Sequence, residues 1–363
     1  MKHKILNGLM LLLLSGLALT SCVGCSTLGY YGQAIGGHLS LMNKREPIAP
    51  LLQSGDLSTR RQQQLELAVK IRDYASQELG LPDNGSYREF VELGRKAVVW
   101  NVVATPEFSL TPKEWCFPFA GCIRYRGYYS EQKARDFAAS LNDQDYDIHV
   151  GGSGAYSTLG WFDDPLLSTM VDRGKLRMAE VIFHELAHQQ LYVKNDSTFN
   201  EAFATTVGEY GVRQWASSHA PESVENYEKA LDRKTDFIAL LNKTSKKLKT
   251  LYATDQPATT MRQQKQHIFT DMRKDYAQLK QSWGGYSGYD RWFAQPLNNA
   301  RLASIATYRD RVPDFARWLE KCGNHFSRFY TRMAALGKLP KKARLSRLKG
   351  KAECQSDTAS IPH

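Results

Sequence analysis

The sequence has little of what a membrane-embedded or cysteine-built protein needs. Across 363 residues only one uncharged apolar run is long enough to consider as a membrane span, residues 5–19. It is short for a transmembrane helix, and with no second run a multi-span architecture is excluded. Of the six cysteines only Cys22 and Cys25 have Cys-x-x-Cys spacing, beside the N-terminal apolar run, and the other four have none, so zinc ligation by cysteine is not expected. There is no internal repeat. One stretch, 338–351, contains no acid at all but seven basic residues: Lys338, Lys341, Lys342, Arg344, Arg347, Lys349 and Lys351. Apolar side chains are plentiful. At 42% hydrophobic the chain can bury a core and is too apolar to stay disordered, and its length fits one large or two ordinary domains. A net charge of +11 leaves nucleic acid or an anionic membrane open as partners.

The N-terminus narrows that choice. Lys2 and Lys4 precede the apolar run, the layout of a secretory signal. The following Leu19-Thr20-Ser21-Cys22 resembles the bacterial lipobox, so residues 1–21 are expected to be removed and Cys22 acylated. An ordinary cleaved signal, or an uncleaved anchor, is the alternative. Cys25 is a weaker second lipidation site, because Cys22 stands where leucine is usual. Val23 follows Cys22 where aspartate would retain a lipoprotein at the inner membrane. By resemblance to Gram-negative lipoproteins, the expected location is therefore the outer membrane, facing the periplasm. Processing leaves 46 basic against 37 acidic residues, a net +9, of which the 338–351 stretch supplies seven. The remainder is nearly neutral, and nucleic acid is not expected outside the cytoplasm. The basic tail, 338–363, reads either as a solvated tail or helix face or as a contact for anionic headgroups. Export also exposes cysteines to oxidation. Cys116 and Cys122 flank a turn-rich segment that could close a small disulfide loop, and Cys322 with Cys354 could pin the tail.

Along the chain, residues 57–79 place Leu65, Ala68, Val69 and Ile71 on one helical face, stopped by Gly80 and Pro82. Residues 98–103 read as a strand, 115–129 as a hairpin, 130–141 as a helix, and 147–159 as an extended, glycine-interrupted segment. From Asp172 onward helix dominates. Two long polar helical stretches, 223–252 and 259–282, flank Pro257 and are expected to form an antiparallel hairpin inserted in one domain, 22–337. Residues 308–336 read as helical again.

The chemistry-bearing motif is His184-Glu185-Leu186-Ala187-His188. On a helix the two histidines lie one turn apart on one face and can take two corners of a Zn²⁺ tetrahedron. Glu185 then faces the open side, where it can accept a proton from the attacking water. Apolar flanks at Val181, Ile182, Phe183, Leu186 and Ala187 indicate a buried helix, and buried His and Glu need partners that a metal supplies. Glu201, in Phe199-Asn200-Glu201-Ala202, is the expected third ligand, brought back by a second helix after a turn near Asn195. Glu209 is the rival ligand. Thr198-x-x-Glu201 can equally be read as a capping box.

This Asn-Glu arrangement resembles the gluzincin metallopeptidases. More narrowly, Tyr30-Tyr31-x-Gln33-Ala34, Trp115-Cys116-Phe117-Pro118, Arg126-Gly127-Tyr128, the segment 155–165, the His184–His188 motif and Asn200-Glu201-x-Phe203-Ala204 resemble a bacterial family of predicted aminopeptidase lipoproteins. The resemblance implies one Zn²⁺ held by His184, His188 and Glu201. It also implies a zincin-like α+β fold, mostly helical, with a small antiparallel sheet and the helical-hairpin insertion at about 223–283. The expected activity is hydrolysis of peptides by a lipid-anchored, monomeric aminopeptidase. The Gly-x-Met-Glu-Asn segment that holds a free amine in better-known gluzincin aminopeptidases is absent, which leaves end and internal cleavage both open. Zincins pair substrate with a strand before the metal helix, and 152–160 has that chain position. Tyr156 and Ser157 are thus expected at the cleft. Tyr308 is the expected oxyanion donor, with Tyr210 and His149 as other candidates. The alternative class is a non-enzymatic envelope lipoprotein that uses a zincin scaffold to bind a partner or peptidoglycan.

Overall fold

The computed structural model describes residues 29–117, 121–141, 146–155, 158, 162–306 and 311–354. Cys22, Tyr156, Ser157 and Tyr308 lie outside the described residues. The chain opens with helix α1 (29–42) and the short strand β1 (Glu46–Pro47), then α2 (Ile48–Gln53) and α3 (Thr59–Gln77). Ser58 starts α3 by accepting a hydrogen bond from the Arg61 amide, and Leu65, Ala68, Ile71 and Ala75 form its buried face. Strands β2 (Glu89–Val91), β3 (Val99–Pro106), β4 (Trp115–Phe117), β5 (Gly121–Ile123) and β6 (Arg126–Tyr128) come next, followed by α4 (Glu131–Ala139), β7 (Tyr146–Ser153) and β8 (Leu166–Leu167). All regular elements after β8 are helices among the described residues. They are α5 (Ser168–Val171), α6 (Lys175–Gln190), α7 (Ser197–His219), α8 (Val224–Tyr252), α9 (Ala258–Ser282), α10 (Asp290–Phe293), α11 (Asn299–Ala306), α12 (Val312–Lys321), α13 (Phe326–Gly337) and α14 (Lys341–Lys349).

The architecture is α+β and mostly helical, but among the described residues the strands form three small sheets rather than one. The antiparallel sheet β6-β3-β7 is the largest, with Val102 opposite both Val150 and Arg126. Trp100, Val102 and Ala104 alternate toward Ala134 and Ala138 of α4, while α11 packs against β3 and β7. The second sheet, β1-β2-β8, is mixed. Its β2–β8 pair is parallel, because the chain makes a long excursion before Leu166 returns beside Phe90. The third is the β4–β5 hairpin, which carries the Cys116–Cys122 disulfide. The hairpin expected over 115–129 therefore ends at Ile123, and residues 126–128 leave it to pair with β3.

Helices α6 and α7 form the centre of the main core, walled by α3, α12 and α13. Their close approach depends on glycine. A Cβ at Gly208 would stand 3.0 Å from the Glu180 carbonyl oxygen, and one at Gly211 would stand 2.9 Å from the Phe183 ring. The α8–α9 hairpin has a core of its own around Phe237, Leu241, Phe269, Met272 and Phe293. Its far end is tied to the sheet region: Lys265 donates to Asp147 (2.7 Å), and Arg262 makes a two-pronged contact with Glu107 (2.7 and 2.8 Å). The helix expected over 308–336 breaks at Gly323 and Asn324, both with left-handed φ (68° and 58°), giving α12 and α13. The basic stretch is not a free tail over its described length. It folds as α14, buries Arg344 and Leu348, and is joined to the end of α12 by the Cys322–Cys354 disulfide.

Candidate metal centre

Helix α6 is rooted by Met178, Val181, Ile182, Phe183 and Leu186, all buried. With that face fixed, His184 and His188 stack on one side, one turn apart. Their Nε2 atoms are 3.2 Å apart, and the rings stand nearly perpendicular. Residues 191–196 reverse the chain, with Asn195 in the left-handed region (φ 62°). Asn200 fastens this turn. Its side-chain nitrogen donates to the Val193 carbonyl (2.9 Å), and its side-chain oxygen accepts from the Val193 amide (2.8 Å). Asp196 caps α7 by accepting from the Phe199 amide. Thr198 thus falls inside the first turn, so the capping box with Glu201 does not form and that carboxylate is left for another purpose. Glu201 reaches both rings: Oε2 is 3.4 Å from His184 Nε2, and Oε1 is 3.6 Å from His188 Nε2.

These separations can be tested against an ion. Two ligand atoms each about 2.0–2.1 Å from a tetrahedral metal lie about 3.3–3.4 Å from each other. The observed 3.2, 3.4 and 3.6 Å bracket that value. Two imidazoles and a carboxylate this close together are spaced as the ligands of one cation. No other group of three His, Cys, Asp or Glu side chains converges in this way among the described residues. Burial works against the Glu201 charge, yet hydrogen bonds and charge from His184 and His188 hold its carboxyl down at about 2. Burial likewise disfavours a charged His184, but Glu201, Glu185 and Glu180 together raise its pKa.

Behind the trio sits a second charged layer. Lys234 of α8 donates to Glu180 of α6 (3.3 Å) and to Glu209 of α7 (3.2 Å), and both carboxylates are buried. Glu209, the rival ligand, is therefore engaged by Lys234 and is not one of the three converging side chains. Tyr210 donates to Glu320 (2.5 Å) on α12. It lies nine residues past Glu201, half a helical revolution from that carboxylate's face. His149 sits on β7, its pKa lowered to about 4 by burial and by Arg301. Neither residue is brought to the trio.

One tyrosine near the site has no signal in the sequence. Tyr125, between β5 and β6, has its pKa raised first by burial and then by the charges of Glu201, Tyr30, Tyr192 and Glu185. It is 38% exposed, and the influence of the Glu201 and Glu185 charges on it puts it on the side of the molecule that carries the trio. Only its neighbours Arg126-Gly127-Tyr128 carry a recognisable pattern. The fold delivers Tyr125 from 76 positions before Glu201, through the departure of β6 from the disulfide-closed hairpin.

Two imidazoles and a carboxylate around one point, with a second carboxylate beside them on the same helix, make a candidate single-ion centre with a built-in base. The sequence matches the model of a family described as "Putative aminopeptidase" over residues 29–348, and the chain belongs to that family. Membership supports a peptidase-like function. No curated protein and no solved structure matches the chain.

Proposed function

We propose that the chain is a zinc-dependent peptidase, acting as an aminopeptidase, held at the periplasmic side of a bacterial outer membrane by a lipid on Cys22. The carrying observation is the 3.2–3.6 Å triangle of His184 Nε2, His188 Nε2 and the Glu201 carboxylate. Two imidazoles and one carboxylate, with a corner left open, are a donor set suited to catalytic zinc, which when bound supplies a Lewis acid for the scissile carbonyl and acidifies water. Glu185 accepts the proton of the attacking water and passes it to the leaving amine. Tyr125, kept protonated by its raised pKa, donates a hydrogen bond to the developing oxyanion. The non-enzymatic reading would be favoured by a side chain filling the fourth corner. Glu209 is engaged with Lys234, and Cys116, Cys122, Cys322 and Cys354 are all in disulfides.

The test is metal analysis and peptide digestion with the full processed chain. One zinc per molecule is expected, with hydrolysis of peptide substrates that is lost on chelation and restored by zinc. A chain that neither retains zinc nor cleaves any member of a peptide library overturns the proposal. Tyr125→Phe is expected to lower kcat about 10²-fold with little change in KM, the usual cost of one oxyanion donor. Steady-state kinetics decide this, and an unchanged kcat removes Tyr125 from the reaction.

A further inference from the structure

Helix α1 is apolar on more than one side. It buries Leu41 in the main core, while a polar and aromatic part of its inner face is locked to the sheet. Gln33 donates to the Gly127 carbonyl and accepts from the Tyr129 amide, each at 3.2 Å. The Tyr30 ring packs edge-on to Tyr128 at 5.5 Å, with the Arg126 guanidinium 4.2 Å above it. A Cβ on Gly37 would run into the Tyr129 ring. The outer face carries Gly32, Ile35, Gly36, Leu39, Ser40 and Asn43, all exposed, spaced as one helical stripe and without a single charge. Ile35 and Leu39 are 58% and 53% exposed, one turn apart. Phe162, 56% exposed, extends the patch through a 5.3 Å ring contact with His38. Positions 32 and 36 have open space around them.

Contiguous exposed apolar surface of this kind marks a site for a protein or a membrane. The position of Cys22 favours the membrane. Cys22 precedes Gly29 by seven positions. A fully extended chain of that length reaches about 25 Å at most. An acyl group on Cys22 therefore keeps α1 within reach of the headgroups at all times, and a charge-free face ending in the exposed Lys44 suits the headgroup–acyl boundary. We propose that the outer face of α1, with Ile35, Leu39 and Phe162, lies in the bilayer interface and fixes the orientation of the molecule on it. This rests on the lipid-anchor reading above.

The experiment uses the full acylated chain on vesicles of phosphatidylethanolamine and phosphatidylglycerol with brominated acyl chains. An environment-sensitive fluorophore is placed at Ile35→Cys, Leu39→Cys or Phe162→Cys in a Cys25→Ser background, with Lys246→Cys on α8 as control. All four positions are exposed, so the labels do not disturb the core. Labels at 35, 39 and 162 are expected to shift to the blue and be quenched, while the label at 246 is not. Loss of quenching at all three, with the chain still floating on the vesicles, overturns the docking face but leaves the anchor standing. A doubled mass in detergent with those labels shielded from lipid also overturns it, in favour of a second copy of the chain. A chain with no acyl group on Cys22 by mass spectrometry removes the anchor and this proposal together.

Discussion

Glu185→Gln should keep the ion and lose the reaction, with peptide hydrolysis falling by about 10²–10⁴-fold, the range expected for removal of a general base. The amide has nearly the size and shape of the carboxylate but cannot take a proton from water. The ion-binding trio does not include position 185, so zinc content should stay at the wild-type value. Glu185 follows the ligand His184 on α6, and its charge acts on both His184 and Tyr125, so it is the carboxylate outside the trio proposed to deprotonate an attacking water. Metal analysis and single-turnover hydrolysis, run side by side on both proteins, separate the two effects. Turnover equal to wild type would falsify the base assignment. Loss of zinc together with activity would show instead that Glu185 supports the ligand geometry.

The parts of the site that could be read from the sequence are the local ones. A spacing of four residues on an apolar-flanked helix is enough to stack His184 on His188, because helical geometry leaves no alternative. Glu201 follows with one more assumption, that residues 191–196 turn the chain. Asn200 makes that turn through its paired contacts with Val193, so the Asn of the Asn-Glu pair holds the loop while the Glu faces the rings. What could not be read depends on contacts far apart in sequence. Tyr125 comes to the side of the trio because the chain leaves its hairpin for β6 to pair with β3, a pairing decided by the whole sheet. The parallel β2–β8 pair depends on a crossover of similar length. The tail departs from its reading at one residue. Six of its seven basic residues are exposed, as on a solvated helix face, but Arg344 is buried against Asp196, which lies 148 positions earlier.

That ion pair carries the second large effect. Arg344 and Asp196 are buried, with guanidinium nitrogens 2.7 and 3.0 Å from the same carboxylate oxygen. Arg344 also donates to the Gly337 and Leu339 carbonyls, each at 2.9 Å, which leaves its charge fully engaged. Asp196 is the cap of α7, five positions before Glu201, so α14 bears directly on the start of a ligand-bearing helix. Arg344→Met leaves a buried carboxylate without its partner, at an expected cost of about 3–5 kcal/mol in unfolding free energy. The lower end is favoured, because Lys341 stands 4.0 Å from the other oxygen and the Phe199 amide still donates to it. Asp196→Asn combined with Arg344→Met removes both charges and should recover part of the loss, and a double-mutant cycle by denaturant unfolding measures how much. If the single variant unfolds within about 0.5 kcal/mol of wild type, the margin typical of a surface substitution, α14 does not lock the fold. The exposed lysines around it would then have to account for the basic stretch through contact with a partner or lipid instead.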